Sequence, residues 1–167
     1  SNQKGGVGKT TTCVNMAAYL ATMGRKVLIV DIDPQGNATT GLGFSKSTLK
    51  KSVYQVLIEG EPAKDNILPT EIPTLFILPA NIDLAGAEIE LVGKKSREKI
   101  LKGALDKVRG EFDYILIDCP PSLGLLTINA LTASDSVIIP IQSEYYALEG
   151  LSQLMNTVSL VRQHLNQ

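Results

Sequence analysis

Cysteine is scarce in this sequence: 167 residues hold two, Cys13 and Cys119, far apart and without metal-ligand spacing. That excludes a disulfide framework and suits a reducing, intracellular compartment. Each lies in an apolar stretch with no CxxC and no histidine partner, so both read as buried, inert thiols. Histidine is scarcer still; His164 stands alone near the end of the chain and reads as solvent-facing. No apolar run approaches the roughly 18 residues that suggest a membrane span. Net charge is nearly absent, with 16 Lys+Arg against 17 Asp+Glu, so whole-chain electrostatics name no partner. An initiator Met and a signal peptide are also missing. The chain opens on Ser1-Asn2-Gln3 and then a glycine-rich loop, and it reads as an internal segment of a longer protein.

What is present is a globular composition, 44% apolar and 20% charged, long enough for one domain with a sizeable core. Two periodicities alternate. Short apolar runs at Val27–Val30, Leu75–Leu78, Tyr114–Ile117 and Val137–Ile141 are bounded by Asp, Pro or Gly, as buried parallel strands are. Between them lie helical patterns. One covers Thr10–Met23 and stops at Gly24. Ser52 can cap a short helix ending at Gly60. Ser96 can cap a longer one with Ile100, Leu101, Ala104, Leu105 and Val108 on one face. Further helices span about Leu125–Ala133 and Leu148–Leu165, the last burying Leu148, Leu151, Leu154, Val158 and Val161. The alternation predicts a parallel α/β sheet with helices on both faces. Pro34–Lys51, polar and rich in Gly, Thr, Ser and Lys, reads as a functional loop. Lys94-Lys95-Ser96-Arg97 reads as a solvated helix start, because acidic residues flank it.

The strongest signal is Lys4-Gly5-Gly6-Val7-Gly8-Lys9-Thr10. Phosphate oxygens need several N–H groups converging on one point, which requires backbone free of Cβ atoms. A helix N-terminus behind the loop adds a favourable dipole. Lys9 is placed to reach the β/γ-phosphates, and the Thr10 hydroxyl to ligate Mg²⁺. The general pattern wants Gly where this chain has Gln3; Gly6 and Lys4 are extra. ATP carries about four negative charges, and Mg²⁺ with Lys9 supplies three positive ones. Lys4 either completes that balance in the transition state or is a solvated loop lysine.

Two acidic sites complete the constellation. Asp118 follows Tyr114–Ile117, so its carboxylate emerges at a strand's C-terminal end, the place for an acid that orients Mg²⁺ or its waters. Asp31 and Asp33 end the second strand. Asp33, nearer the polar loop, is the candidate to orient the attacking water, and Asp31 reads as structural. Tyr145-Tyr146 either packs on a partner or closes the sheet edge.

The stretches KGGVGKTTT, VDIDPQGNATTGLG, YILIDCPPSLGLLTINAL and VIIPIQSEYYALEGLSQL closely resemble the ParA/Soj branch of the ParA/MinD deviant-Walker-A ATPases. The resemblance runs in the same order from Gln3 to the C-terminus, weakest over about Ser45–Leu75. It implies a P-loop NTPase-like fold, here a single truncated domain over residues 1–167 without the strand before the phosphate loop and without the C-terminal part. It also implies an ATPase using ATP and Mg²⁺, with Lys4, Gly5, Gly6, Val7, Gly8, Lys9, Thr10 and Thr11 around the nucleotide. Thr10 and Asp118 would serve the metal, and Lys4, Lys9 and Asp33 the hydrolysis. By the same resemblance the protein is a cytoplasmic, ATP-dependent homodimer in which Lys4 reaches the partner's phosphates. The dimer binds DNA without sequence preference, and a ParB/Spo0J-like centromere-binding protein stimulates hydrolysis. The DNA contacts are expected outside these residues. A MinD-type membrane-associated positioning ATPase is the alternative; it needs a C-terminal amphipathic helix that would lie beyond these residues. Iron–sulfur relatives require paired cluster cysteines, which Cys13 and Cys119 do not supply.

Overall fold

The computed structural model describes residues 8–140 and 147–166, the side chains of residues 147–150 excepted. Among the described residues four strands form: β1 (Val27–Asp31), β2 (Leu68–Pro69), β3 (Leu75–Leu78) and β4 (Tyr114–Asp118). Their order is β2-β3-β1-β4, with β1 parallel to both β3 and β4 and only the two-residue β2 antiparallel. Around them lie α1 (Lys9–Thr22), α2 (Asn37–Gly41), α3 (Ala63–Asn66), α4 (Ala87–Leu91), α5 (Ile100–Leu105), α6 (Leu125–Ala133) and α7 (Ala147–His164). The architecture is the mostly parallel α/β sheet that the alternating pattern predicts.

β1 is buried at every position because both faces of the sheet are covered. Side chains alternate along it. Val27 and Ile29 join Leu75 and Ile77 under Ala17 and Ala21 of α1. Leu28 and Val30 join Leu78 on the other face, in a core shared with α4, α5 and α6. The small Ala17 and Ala21 are what let α1 approach the sheet closely, and α1 stops at Gly24, φ 78°, where a left-handed residue is needed.

Four expectations need correction. Val137–Pro140 forms no strand, and Val137 and Ile138 are exposed; Ile141 lies outside the described residues. A strand exists only as one side of a ladder, and among the described residues no strand pairs with this segment. Pro34–Lys51 is not loop alone, since α2 forms inside it and buries Ala38 and Thr39 completely. Ser96 does not cap α5. It sits at φ 51°, and α5 begins at Ile100 behind Lys99 with no side-chain cap. Asn129 of α6 does that work instead, accepting from the Leu101 N–H at 3.1 Å and donating to the Arg97 carbonyl at 2.7 Å. Lys94–Arg97 is accordingly a tied turn rather than a helix start: Lys94 donates to the Ile58 carbonyl and Arg97 to that of Val92.

Elsewhere the local reading holds. Ser52 accepts from the Tyr54 N–H at 3.0 Å, and its helix widens to π geometry over Gln55–Glu59 before Gly60. Leu101, Leu105 and Val108 are buried, Ile100 and Ala104 pack beside them, and α6 matches its predicted span. In α7 Val161 is buried and Leu151, Leu154 and Val158 are half-buried, while the side chain of Leu148 lies outside the description. No helix among the described residues is long and apolar enough to cross a membrane.

Candidate functional site

The site stands at the C-terminal edge of the parallel sheet. Register places Asp31, the last residue of β1, directly beside Asp118, the last of β4. α1 begins above this edge. Its N-cap is Gly8, at φ 79°, and the first helical bond runs from the Thr12 N–H to the Gly8 carbonyl at 2.8 Å. The N–H groups of Lys9, Thr10 and Thr11 therefore have no acceptor within the helix, and no acidic residue occupies the first turn. These are the features of an anion-binding helix end.

Thr10 ties this end to the sheet: its hydroxyl donates to Asp118 Oδ2 at 2.7 Å. Asp118 is almost fully buried, and burial pushes its carboxyl above the usual range. The Thr10 hydrogen bond opposes that rise, the neighbouring Asp33 charge adds to it, and the Lys9 ammonium opposes it.

The two β1 aspartates differ sharply. Asp31 is fully buried and accepts three hydrogen bonds, from the Thr39 hydroxyl at 2.6 Å, the Thr39 N–H at 2.8 Å and the Asp33 N–H at 3.2 Å. Thr39 in turn accepts from the Ala80 N–H at 2.9 Å, so one hydroxyl joins β1, α2 and the segment after β3. Burial nevertheless raises the Asp31 pKa to about 6, against the Thr39 bonds and with the Asp118 charge adding to the rise. Among the described residues Asp33 accepts a single side-chain bond, from the Gln35 N–H to Oδ1 at 2.9 Å. It lines a cavity of about 540 Å³ together with Gly8, Lys9, Thr10 and Thr11, closed further by Asn15, Gln35, Asn37 and Pro121. That volume lies within the range of small-ligand sites.

The predicted residues thus fall into two groups. Gly8, Lys9, Thr10, Thr11 and Asp33 share one cavity, and Asp118 meets it through Thr10. Lys4, Gly5, Gly6, Val7 and Tyr145-Tyr146 lie outside the described residues. Cys13 and Cys119 have thiols raised by burial, Cys119 to about 12, so neither offers a thiolate. His164 is exposed. Thr10 and Asp118 present hard oxygen donors, which fit Mg²⁺, an ion that takes one or two protein ligands and completes its shell with water and phosphate. Among the described residues no cluster of three His, Cys, Asp or Glu could cage a metal alone. Sequence reasoning missed Thr39, whose only signal is a hydroxyl eight positions after Asp31. It also missed the lining residues Asn15, Asn37 and Pro121, which carry no distinguishing signal.

A family model described as AAA domain matches residues 1–167. The sporulation initiation inhibitor protein Soj of Bacillus subtilis is 64% identical over 166 residues, covering 99% of this chain and 66% of that protein. The chromosome partitioning protein ParA of Myxococcus xanthus is 57% identical over 166 residues, covering 99% and 59%. The chain belongs to the AAA domain family, in its ParA/Soj-type branch. It spans less than two thirds of the length of these curated relatives. Solved structures superpose over nearly all of it. A Mycobacterium smegmatis structure described as cobyrinic acid a,c-diamide synthase with bound ADP and magnesium has a TM-score of 0.93 at 48% identity, over 99% of this chain and 67% of that one. A putative plasmid partition protein from Borrelia burgdorferi B31, bound to AMPPNP, gives 0.82 at 30% identity, over 99% and 69%.

Proposed function

We propose that this chain is the nucleotide-binding part of a chromosome- or plasmid-partitioning ATPase that binds ATP with Mg²⁺ and hydrolyses it. The observation that carries the reading is the Thr10–Asp118 hydrogen bond at the N-terminus of α1, in one cavity with Lys9 and Asp33. The first N–H groups of α1, which have no acceptor within the helix, and the Lys9 ammonium receive the phosphate charge, with no acidic side chain in the first turn to oppose them. Thr10 and Asp118 would hold Mg²⁺ directly or through its waters, and the ion would neutralise phosphate charge. Asp33, with Oδ1 fixed by the Gln35 N–H, has Oδ2 left to accept from a water and orient it toward the terminal phosphate.

In the whole protein the same reading extends to an ATP-dependent homodimer with Lys4 acting across the interface. That dimer would bind DNA nonspecifically, sit on the nucleoid in the cytoplasm and respond to a ParB-like centromere-binding partner. The names of the Soj and ParA relatives support this extension. Calorimetry with ATP and Mg²⁺ tests the core of it. Lys9→Ala is expected to weaken binding by roughly 100-fold or more, through loss of charge-assisted bonds to phosphate. Unchanged ATP affinity removes Lys9 from the site and refutes the reading.

A further inference from the structure

Beside the nucleotide cavity lies a second hollow of about 400 Å³, lined by Thr40, Phe44, Ser45, Lys46, Ser47 and Ile82. Lys46 reaches from it to the turn that carries Asp33, and it touches that turn twice. Its ammonium donates to the Gln35 carbonyl. Its methylene stem lies over Gly36, where an added Cβ would fall 2.5 Å from Lys46 Cδ and 3.2 Å from Cγ. Gly36 also holds φ 60°, a conformation that favours glycine.

Both gripped residues hold Asp33 from their other side. The Gln35 N–H donates to Asp33 Oδ1 at 2.9 Å, and the Gly36 N–H donates to the Asp33 carbonyl at 2.8 Å. The Gln35 carbonyl and the Gly36 N–H belong to one peptide plane, so fixing the first orients the second. We propose that Lys46 is a positioning residue for hydrolysis, a clamp that holds the Gln35–Gly36 peptide so that the Asp33 carboxylate stays aimed into the nucleotide cavity. Lys46 touches neither substrate nor metal in this scheme; it acts through Asp33. The inference rests on the proposed role of Asp33 in ATP hydrolysis.

Lys46→Met keeps most of the stem and removes the donor, and Lys46→Arg restores a donor. In the protein that carries this chain, Lys46→Met is expected to lower kcat for ATP by roughly tenfold, the order of one charge-assisted hydrogen bond. KM for ATP and the melting temperature stay within error of wild type, because the cradle and the core are untouched. Amide hydrogen exchange at Gln35 and Gly36 speeds up by a similar factor, and Lys46→Arg recovers both kcat and protection. Unchanged exchange in Lys46→Met overturns the clamp. Faster exchange with unchanged kcat overturns its role in hydrolysis, as does a fall in kcat matched by a fall in melting temperature. A wild-type protein that turns over no ATP refutes the underlying functional reading instead, and the exchange comparison then decides the clamp by itself.

Discussion

Asp31→Asn separates the structural aspartate from the functional one through the pH dependence of stability. An unfolded aspartate releases its proton near 3.8, whereas folded Asp31 keeps it to about 6, chiefly because the carboxylate is buried. Between those values the folded state binds more protons than the unfolded state, so unfolding free energy falls as pH rises. The contribution is fully present below about pH 3.8 and is lost above about pH 6. A shift of about two units corresponds to ~3 kcal/mol in all, of which about 2 kcal/mol falls between pH 4.5 and 7.5. The amide of the Asp31→Asn variant cannot titrate. It keeps one oxygen for the Thr39 N–H but lacks the second acceptor that the Asp33 N–H uses at 3.2 Å. Urea unfolding without nucleotide, followed by circular dichroism at several pH values, gives the difference in stability, wild type minus variant. That difference is expected to shrink by about 2 kcal/mol as pH rises from about 4.5 to 7.5. A constant difference means that Asp31 titrates normally. A difference that grows with pH means that the three hydrogen bonds outweigh burial and the carboxylate is stabilised as an anion; either result refutes the argument.

Asp33→Ala should still bind ATP and dimerise yet hydrolyse it roughly 100-fold more slowly, since only the group that orients water is lost; sedimentation with ATP should show a persistent dimer, and normal turnover would pass the role to another residue. Lys4→Gln should leave nucleotide affinity of the monomer within a few-fold and suppress ATP-dependent association, and a variant that dimerises and hydrolyses normally would make Lys4 a solvated loop residue. The 167-residue chain alone should retain no DNA on filters at roughly 100 mM salt, because residues 121–167 hold one basic residue, Arg162, against Asp135, Glu144 and Glu149. Tight retention that falls on replacing Lys50 and Lys51 would place the DNA surface inside these residues.

Much of the fold was legible because its signals are local. A run such as Val27–Val30, ended by Asp31, identifies a buried strand and also says which end faces ligands. The errors share one cause, which is that some local features are satisfied from far away. Val137–Ile141 has the composition of a strand, but strand formation depends on a neighbour that composition does not show. Ser96 has the right side chain for a cap, yet Asn129, on another helix, satisfies the Leu101 N–H and leaves Ser96 free to take a left-handed turn. Thr39 looks like one more polar residue in a loop; its importance comes from Asp31 and Ala80, neither adjacent in sequence.

The division of labour between Asp31 and Asp33 shows the limit of periodicity most clearly. Two residues apart, they would face the same side of an ideal strand, and alternation gives no reason to distinguish them. The ladder ends between them. Asp31 is the last paired position, opposite Asp118, and its carboxylate is enclosed by α2. Asp33 lies past the ladder, where the chain turns through Gln35 and Gly36 and one carboxylate oxygen is bound by the Gln35 N–H. The backbone at Asp31 cannot turn toward the cavity without breaking the β1–β4 ladder and leaving the Thr39 N–H and hydroxyl unsatisfied, at a cost of several kcal/mol. Loss of Asp33 should therefore not be rescued by Asp31 at any pH, even above about pH 6 where Asp31 is ionised.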